Sequence, residues 1–464
     1  MKKRWIFLAG LAVVSVLGYL ILKQPSVSPQ SDKNSVLNMV KQKGVSAEHK
    51  FPPIENWVTA NGAKVYFVRS PSLPMIDIQL VFDAGSARNG DKGGLSLLTN
   101  ALLSDGTQNM DAQTIHERFE EVGAEFEADA QRDMAYVKIR SLSAPKYLDQ
   151  AIATLAEVLT IPTFPQEALD RERNNALIAL QNDAQNPSKI ASNKFYQLTF
   201  DAQPYANVIL GDEQSLKDLT QSDLATFHQQ YYVARNAVIA MVGDVTVDQA
   251  RAIAERLTER MPAGNTPSEF PQVPDLAVSH LEKISFPSEQ THIMVGGPGI
   301  KRIDQDYFPL VVGNHILGAN GTVNRIFQSI RNKEGLAYDA RSYFVPMRER
   351  GPFILGLQTK RESADQALNL LNNVLAKFVE EGPTEDELNM AKQNLLGGYA
   401  LRFDTNEAIC ANLATIGFYG LALNYFDQYP IEVENVSVDQ IKTAFKKRVH
   451  PDKLVTVLVG QTKT

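Results

Sequence analysis

Between Ile78 and Phe82 apolar and polar side chains alternate as a half-buried strand requires, and the run leads into Asp83-Ala84-Gly85-Ser86-Ala87-Arg88. An apolar helical pattern follows from Gly94 to Leu103. A little over 210 residues later the order recurs: a strand pattern from Thr291 to Val295, a turn at Gly296-Gly297-Pro298-Gly299, and an apolar helix from Phe308 to Leu317. The two stretches also end alike. Phe227 to Asn236 precedes a strand pattern at Ala237–Val242, and Phe445 to Asp452 precedes one at Leu454–Leu458. Long amphipathic helices, such as Lys146–Leu159 and Ser363–Glu380, need a sheet to cover their apolar faces. The pattern predicts a duplication: two α+β sandwich domains, each one sheet backed by helices. The prolines and glycine of Met261–Asp275 break both strand and helix, and set the domains at residues 51–262 and 275–464.

The first 50 residues differ from this body. Trp5 to Leu22 runs for 18 positions without a charge behind Lys2, Lys3 and Arg4. As a helix it would reach ~27 Å, close to the hydrocarbon thickness of a bilayer. Residues 1–25 therefore read as an uncleaved signal anchor, with a cleaved signal as the alternative. The positive-inside rule puts the body on the far side of the membrane, the periplasm of a Gram-negative cell. The alternative leaves it soluble there. Residues 26–50, rich in Ser, Pro, Gln, Asn and Lys, form a polar tether.

Composition narrows the function. Hydrophobic residues make up 44% and charged ones 21%, which excludes a disordered or fibrous body. With Lys2, Lys3, Arg4 and Lys23 set aside, 42 basic residues face 53 acidic ones, which argues against a nucleic-acid partner. The single Cys410 excludes an intrachain disulfide and a cysteine-rich zinc site.

More specific signposts run in order along the chain. They are Gly85-Ser86-Ala87-Arg88, Lys92-Gly93-Gly94, Gly106-Thr107, Pro204-Tyr205, Gly211, Tyr231-Tyr232, Val242-Gly243-Asp244, Phe327-Gln328-Ser329-Ile330-Arg331 and Gly335-Leu336-Ala337-Tyr338. In this ordered set the chain resembles the M16 (pitrilysin-like, inverzincin) metallopeptidases, which include the mitochondrial processing peptidase. The resemblance implies LuxS/MPP-like domains that together form half of a clam-shell. Active members carry H-x-x-E-H, whose histidines at i and i+4 share a helix face and bind zinc while the glutamate activates its water. At that place this chain reads Leu97-Leu98-Thr99-Asn100-Ala101, and the third ligand position falls near Ile178. Leu97, Ala101 and Ile178 offer no ligand atom, and Asn100 is no general base. The expectation is that this chain binds no zinc or other cofactor. Elsewhere, His116 with Glu117, Glu120 and Glu121 reads as a solvated helix face, and His292 and His315 as packed or rim residues.

The resemblance further implies that Arg331 and Tyr338, seven residues apart, act as donors to the oxyanion of a peptide bond at a zinc held by another chain. The competing reading makes Arg331 an ion-pair partner and Tyr338 a packed residue. The Gly318-Ala-Asn-Gly321 turn is a candidate flexible loop against substrate. Two functions stay open. One is an accessory subunit of a heteromeric zinc peptidase whose partner keeps an intact H-x-x-E-H. The other is a non-enzymatic scaffold or chaperone-like protein that holds peptides or unfolded segments at the membrane surface. Open sheet edges and an acidic body suit capture of an extended, basic peptide in either case.

Overall fold

In the computed structural model, which describes residues 51–321 and 323–460, two sheets of matching strand order carry the chain. The Trp5–Leu22 segment and its tether lie outside the described residues. Among those described, no helix is long and apolar enough to cross a membrane.

The first sheet contains β1 (Glu55–Val58), β2 (Lys64–Arg69), β3 (Met75–Phe82), β4 (Glu125–Ala130), β5 (Ala135–Leu142) and β6 (Ala237–Gly243). Their spatial order is β1-β2-β6-β3-β5-β4. The helices of this half are α1 (Leu95–Ala101), α2 (Ala112–Glu120), α3 (Pro145–Thr160), α4 (Gln166–Asp183), α5 (Pro187–Phe200), α6 (Glu213–Asp218), α7 (Gln221–Tyr231) and α8 (Val247–Thr258). The second sheet contains β7 (His280–Ser285), β8 (Gln290–Pro298), β9 (Ala337–Phe344), β10 (Pro352–Lys360) and β11 (Val455–Gly460), in the order β7-β11-β8-β10-β9. With them go α9 (Tyr307–Asn314), α10 (Ala364–Glu381), α11 (Glu385–Gly397), α12 (Asn406–Tyr419), α13 (Tyr425–Asn435) and α14 (Val438–Arg448). In both sheets an early and the last strand pair in parallel (β2 with β6, β7 with β11), and the other neighbours are antiparallel. Both halves are thus mixed α/β with one sheet each, as the duplication predicts. Five helices open on capping boxes, among them Thr220 with Asp223 before α7 and Ser437 with Gln440 before α14.

The central strands of the first sheet are buried on both faces, which is why β6 reads Ala-Val-Ile-Ala-Met-Val-Gly without alternation. One face meets its own half's helices. The other is covered by a helix from the opposite half. Ile409, Cys410, Leu413, Ala414 and Phe418 of α12 pack on Val68, Val81, Tyr136, Ala240 and Val242 of the first sheet. Reciprocally, Ala191 and Phe195 of α5 pack on Ile354, Val455, Val457 and Val459 of the second.

Glycines permit this close seating. A Cβ at Gly417 would stand 2.4 Å from Val238 and 2.5 Å from the Tyr66 ring. The sequence also predicts a turn at Gly296-Gly297, and the structure differs. β8 runs through both residues to Pro298, because a Cβ at Gly296 would meet the Phe353 carbonyl at 2.0 Å and the Phe195 ring at 3.1 Å.

A buried polar hub joins the halves beside the exchanged helices. The Asp133 carboxylate accepts from Tyr205 Oη (2.6 Å), Tyr419 Oη (3.0 Å) and the Arg348 backbone N–H (2.7 Å), and the Glu349 N–H donates to Tyr205 Oη at 3.0 Å. Burial pushes the Asp133 carboxyl upward, while these three donors favour its charged form. Asp83 takes a two-pronged contact from Arg88 (2.8 and 2.7 Å) and lies 3.5 Å from Arg348. The stretch 262–276 contains no helix or strand. Arg88 holds it through the Ser268 carbonyl (2.8 Å), and Arg350 through Val273 and Asp275. The Gly85–Arg88 and Pro204-Tyr205 signposts therefore mark the joint between the halves.

Candidate functional site

α1 starts where two glycine turns touch. Gly94 caps it in the left-handed region (φ 84°), and a Cβ at Gly93 would stand 2.7 Å from Gly211 Cα. The Asn89 side chain accepts from the Ser96 N–H at 2.9 Å and fixes the first turn. On α1 the two positions that the resemblance aligns with ligands keep exposed surface: Leu97 is half-buried and Ala101 is exposed. α4, against which α1 packs, presents Ile178 at 56% exposure. Asn100 points the other way. It is fully buried, donates to the Tyr136 carbonyl at 3.1 Å and accepts from Tyr232 Oη at 2.7 Å. It works as a pin between helix and sheet. The second half repeats the device: Asn314, at the end of α9, donates to the Ser342 carbonyl (3.1 Å) and accepts from Ser342 Oγ (2.7 Å).

The side chains of Leu97, Ala101 and Ile178 carry no atom that could hold a divalent cation. Among the described residues, no group of three His, Cys, Asp or Glu side chains could do so elsewhere. His116, Glu117, Glu120 and Glu121 are exposed on or just past α2. His292 lies within β8, and burial lowers its pKa. His315 sits in a π-helical turn (His315–Ala319), where burial lowers its pKa to about 4. Gly318 of the same turn is buried, and a Cβ there would meet Ser342 Oγ at 2.3 Å. Only Gly321, with φ 38° and open space around it, retains the freedom expected of a loop.

Two backbone irregularities bring Arg331 and Tyr338 together. Arg331 belongs to a second π-helical turn, Gln328–Lys333. Tyr338 lies at a β-bulge: Leu357 pairs with Ala340 but Thr359 with Ala337, so β9 holds one extra residue at Tyr338-Asp339. The bulge turns Tyr338 out of the sheet, to 80% exposure, although Ala340 and Ser342 two and four positions on are buried. The Arg331 guanidinium then lies 4.5 Å from the Tyr338 ring centre and 4.8 Å from that of buried Phe327. No carboxylate pairs with it among the described residues. Stacked on two ring faces, it keeps its N–H edges free to donate. Phe327 stands within a signpost but has no spacing that would single it out in the sequence. Asp133, Arg348 and Tyr419 carry no local signal at all.

The profile named Peptidase M16 inactive domain matches residues 218–395, and that of Insulinase (Peptidase family M16) matches residues 64–213. A crystal structure titled as the peptidase M16 inactive domain from Pseudomonas fluorescens is 38% identical, covers 89% of this chain and 98% of its own, and superposes with a TM-score of 0.85. The chain belongs to the M16 peptidase family. It is an inactive-type homologue. A Helicobacter pylori protein named "Non-peptidase homolog YmxG" is 28% identical over 87% of this chain and 93% of its own length. The mitochondrial-processing peptidase subunit beta of Lentinula edodes is 22% identical over 84% and 86%.

Proposed function

We propose that this chain is the accessory, zinc-free subunit of a heteromeric M16 peptidase, supplying Arg331 and Tyr338 to a zinc centre held by a partner with an intact H-x-x-E-H. The observation that carries this reading is an asymmetry. The first half's ligand positions are apolar, while the second half retains a π-turn and a bulge that present an unpaired guanidinium beside an exposed phenol. Such irregularities cost backbone hydrogen bonding and concentrate at functional sites. A processing-peptidase subunit among the relatives supports a two-chain arrangement. In it, the two donors stabilise the carbonyl oxygen of a peptide substrate as it becomes tetrahedral. The Trp5–Leu22 segment would anchor the chain in the inner membrane, body outward, with a soluble periplasmic chain as the alternative.

The test is co-purification from membranes, identification of the partner by mass, and peptide cleavage by the reconstituted pair. Arg331→Ala or Tyr338→Phe should each lower turnover, by up to ~10²-fold, and leave complex formation intact. Unchanged cleavage in both variants would make the pair structural and bring forward the scaffold reading.

A further inference from the structure

Arg132 stands in the hairpin between β4 and β5, only 8% exposed, and its charge meets no carboxylate. Its Nε donates to the Tyr205 carbonyl at 3.3 Å, and its guanidinium lies 3.6 Å from the centre of the Tyr196 ring. Among the described residues it makes no ion pair and no further hydrogen bond, so the four N–H groups on its Nη atoms are uncommitted. The adjacent Asp133 carboxylate is taken up by Tyr205, Tyr419 and the Arg348 N–H. A buried guanidinium without a counter-charge is costly, and stacking on one ring offsets only part of that cost. Tyr196 links Arg132 to the second sheet. Its helix, α5, lies along β8 and β11 and covers Ile354 of β10, but beyond Ile354 the same face is open. There Tyr343 of β9 sits opposite Ile354, and Arg341 opposite Gly356, so all four share that face. Arg341 is exposed, Gly356 is half-buried, and a Cβ at Gly356 would meet nothing within 4 Å. Tyr343 keeps 36% of its surface exposed; burial of the rest pushes its phenol up to about 12, Tyr196 adds to the rise and Arg341 opposes it. The result is a hollow floored by Gly356, with Tyr343 and Arg341 on its β9 side and Tyr196 with Arg132 where the halves meet.

We infer that this hollow is a receptor for a carboxylate presented by a polypeptide, at its C-terminus or on an acidic side chain. A guanidinium held flat against a ring offers the parallel N–H groups of one edge, which match the two oxygens of a carboxylate. The Tyr343 hydroxyl is a further donor on the open side. Local charge selects the ligand. Arg132 and Arg341 stand against one carboxylate, Asp339, which lies 3.5 Å from Arg341. A surplus of one positive charge suits a monoanion better than a phosphate, which carries close to two negative charges. Shape makes a second selection. A pocket for a small free metabolite encloses most of its ligand, whereas here the rim residues Arg341 and Tyr343 stay exposed, as a group carried in on a larger chain requires. The rest of the body has an acidic excess, so the positive character belongs to this hollow and not to the surface at large.

Occupancy needs no zinc partner and involves neither Arg331 nor Tyr338, so its failure leaves their donor role standing, and the converse also holds. The experiment is saturation-transfer NMR of acetylated Gly/Ser hexapeptides titrated with the purified full chain in detergent. One peptide has a free C-terminus, a second is amidated, a third is amidated with a central glutamate, and a fourth replaces that glutamate by phosphoserine. At least one carboxylate peptide should bind about tenfold or more tighter than the neutral amide, the loss expected for charge-assisted hydrogen bonds. Preference for the free acid identifies a chain terminus as the source, and preference for the glutamate peptide identifies a side chain. Arg341→Gln, at the exposed rim, should weaken the carboxylate peptide by about two- to threefold. Gly356→Leu, which fills the floor and removes no charge, should weaken it by about tenfold or more. Arg132→Gln should erase the preference for acid over amide; circular dichroism checks its fold, and the Arg341 and Gly356 variants carry the test if it unfolds. Equal binding of acid and amide, no saturation by ~5 mM, or tighter binding of the phosphoserine peptide overturns the inference. So does affinity that ignores both Arg341→Gln and Gly356→Leu.

Discussion

Replacing Phe195 by alanine tests whether the exchanged helices hold the second sheet together. Phe195 belongs to α5, in the first half of the chain, yet its fully buried ring lies among Ile354, Val455, Val457 and Val459 of the second sheet. The fit is close: the ring edge would be 3.1 Å from a Cβ added at Gly296, and it meets Tyr196 edge-on at 6.0 Å. Neighbours on β8 and β11 are themselves hydrogen-bonded on both sides and have little freedom to collapse into the space. Truncating a buried phenylalanine costs about 3–5 kcal/mol, and limited collapse places this site within that range. At the lower figure, a sheet that opens through loss of this contact would do so roughly a hundredfold more often. Hydrogen exchange read by mass spectrometry is the assay. Amides of β8, β10 and β11 should lose protection although the substitution lies more than 90 residues before the first of them. If faster exchange is confined to α5 and its chain neighbours, or if the cost is below ~1 kcal/mol, α5 is an appendage and the exchange does not couple the halves.

On the reciprocal contact, Gly417→Ala should destabilise by about 1–3 kcal/mol in a urea titration, because a methyl 2.4 Å from Val238 outweighs the ~1 kcal/mol helix-propensity gain; a stabilised variant would refute the close seating. His228 donates through Nε2 to the Leu159 carbonyl at 2.9 Å, and burial lowers its pKa from 6.5 to about 4. The unfolded chain therefore takes up the proton first, and stability should fall by up to ~3 kcal/mol as pH drops from 6.5 towards 4. His228→Gln, which keeps a donor but not the titration, should flatten that window in denaturation curves, and an unchanged slope would locate the pH dependence elsewhere. Elemental analysis of the purified chain should find no stoichiometric zinc. The variant Leu97→His/Ala101→His/Ile178→Glu should acquire about one zinc per chain if α1 and α4 keep the geometry of a ligand pair and its third partner. Tight zinc in the unmodified chain would contradict the placement of those positions.

The amino-acid sequence alone determined the duplication, the strands at Ile78–Phe82 and Thr291–Val295, the family, and the absence of an H-x-x-E-H motif. These are local properties. Alternation, helical period and the presence or absence of a ligand atom at a motif position are readable within a dozen residues. The meeting of Arg331 with Tyr338 was half legible: the spacing was visible, but the π-turn, the bulge and the Phe327 ring that create the stack have no local signature. Tertiary structure alone decided what covers each sheet's second face. α12 is apolar around most of its circumference, with Ala408, Ile409, Cys410, Leu413, Ala414, Ile416 and Phe418 all buried, so its burial could have been foreseen but not its host. Which face a helix covers depends on which surface the remaining chain leaves bare. The same limit applies to Asp133, whose partners lie 72, 215 and 286 residues away, and to Arg132, whose hollow is floored by strands of the opposite half.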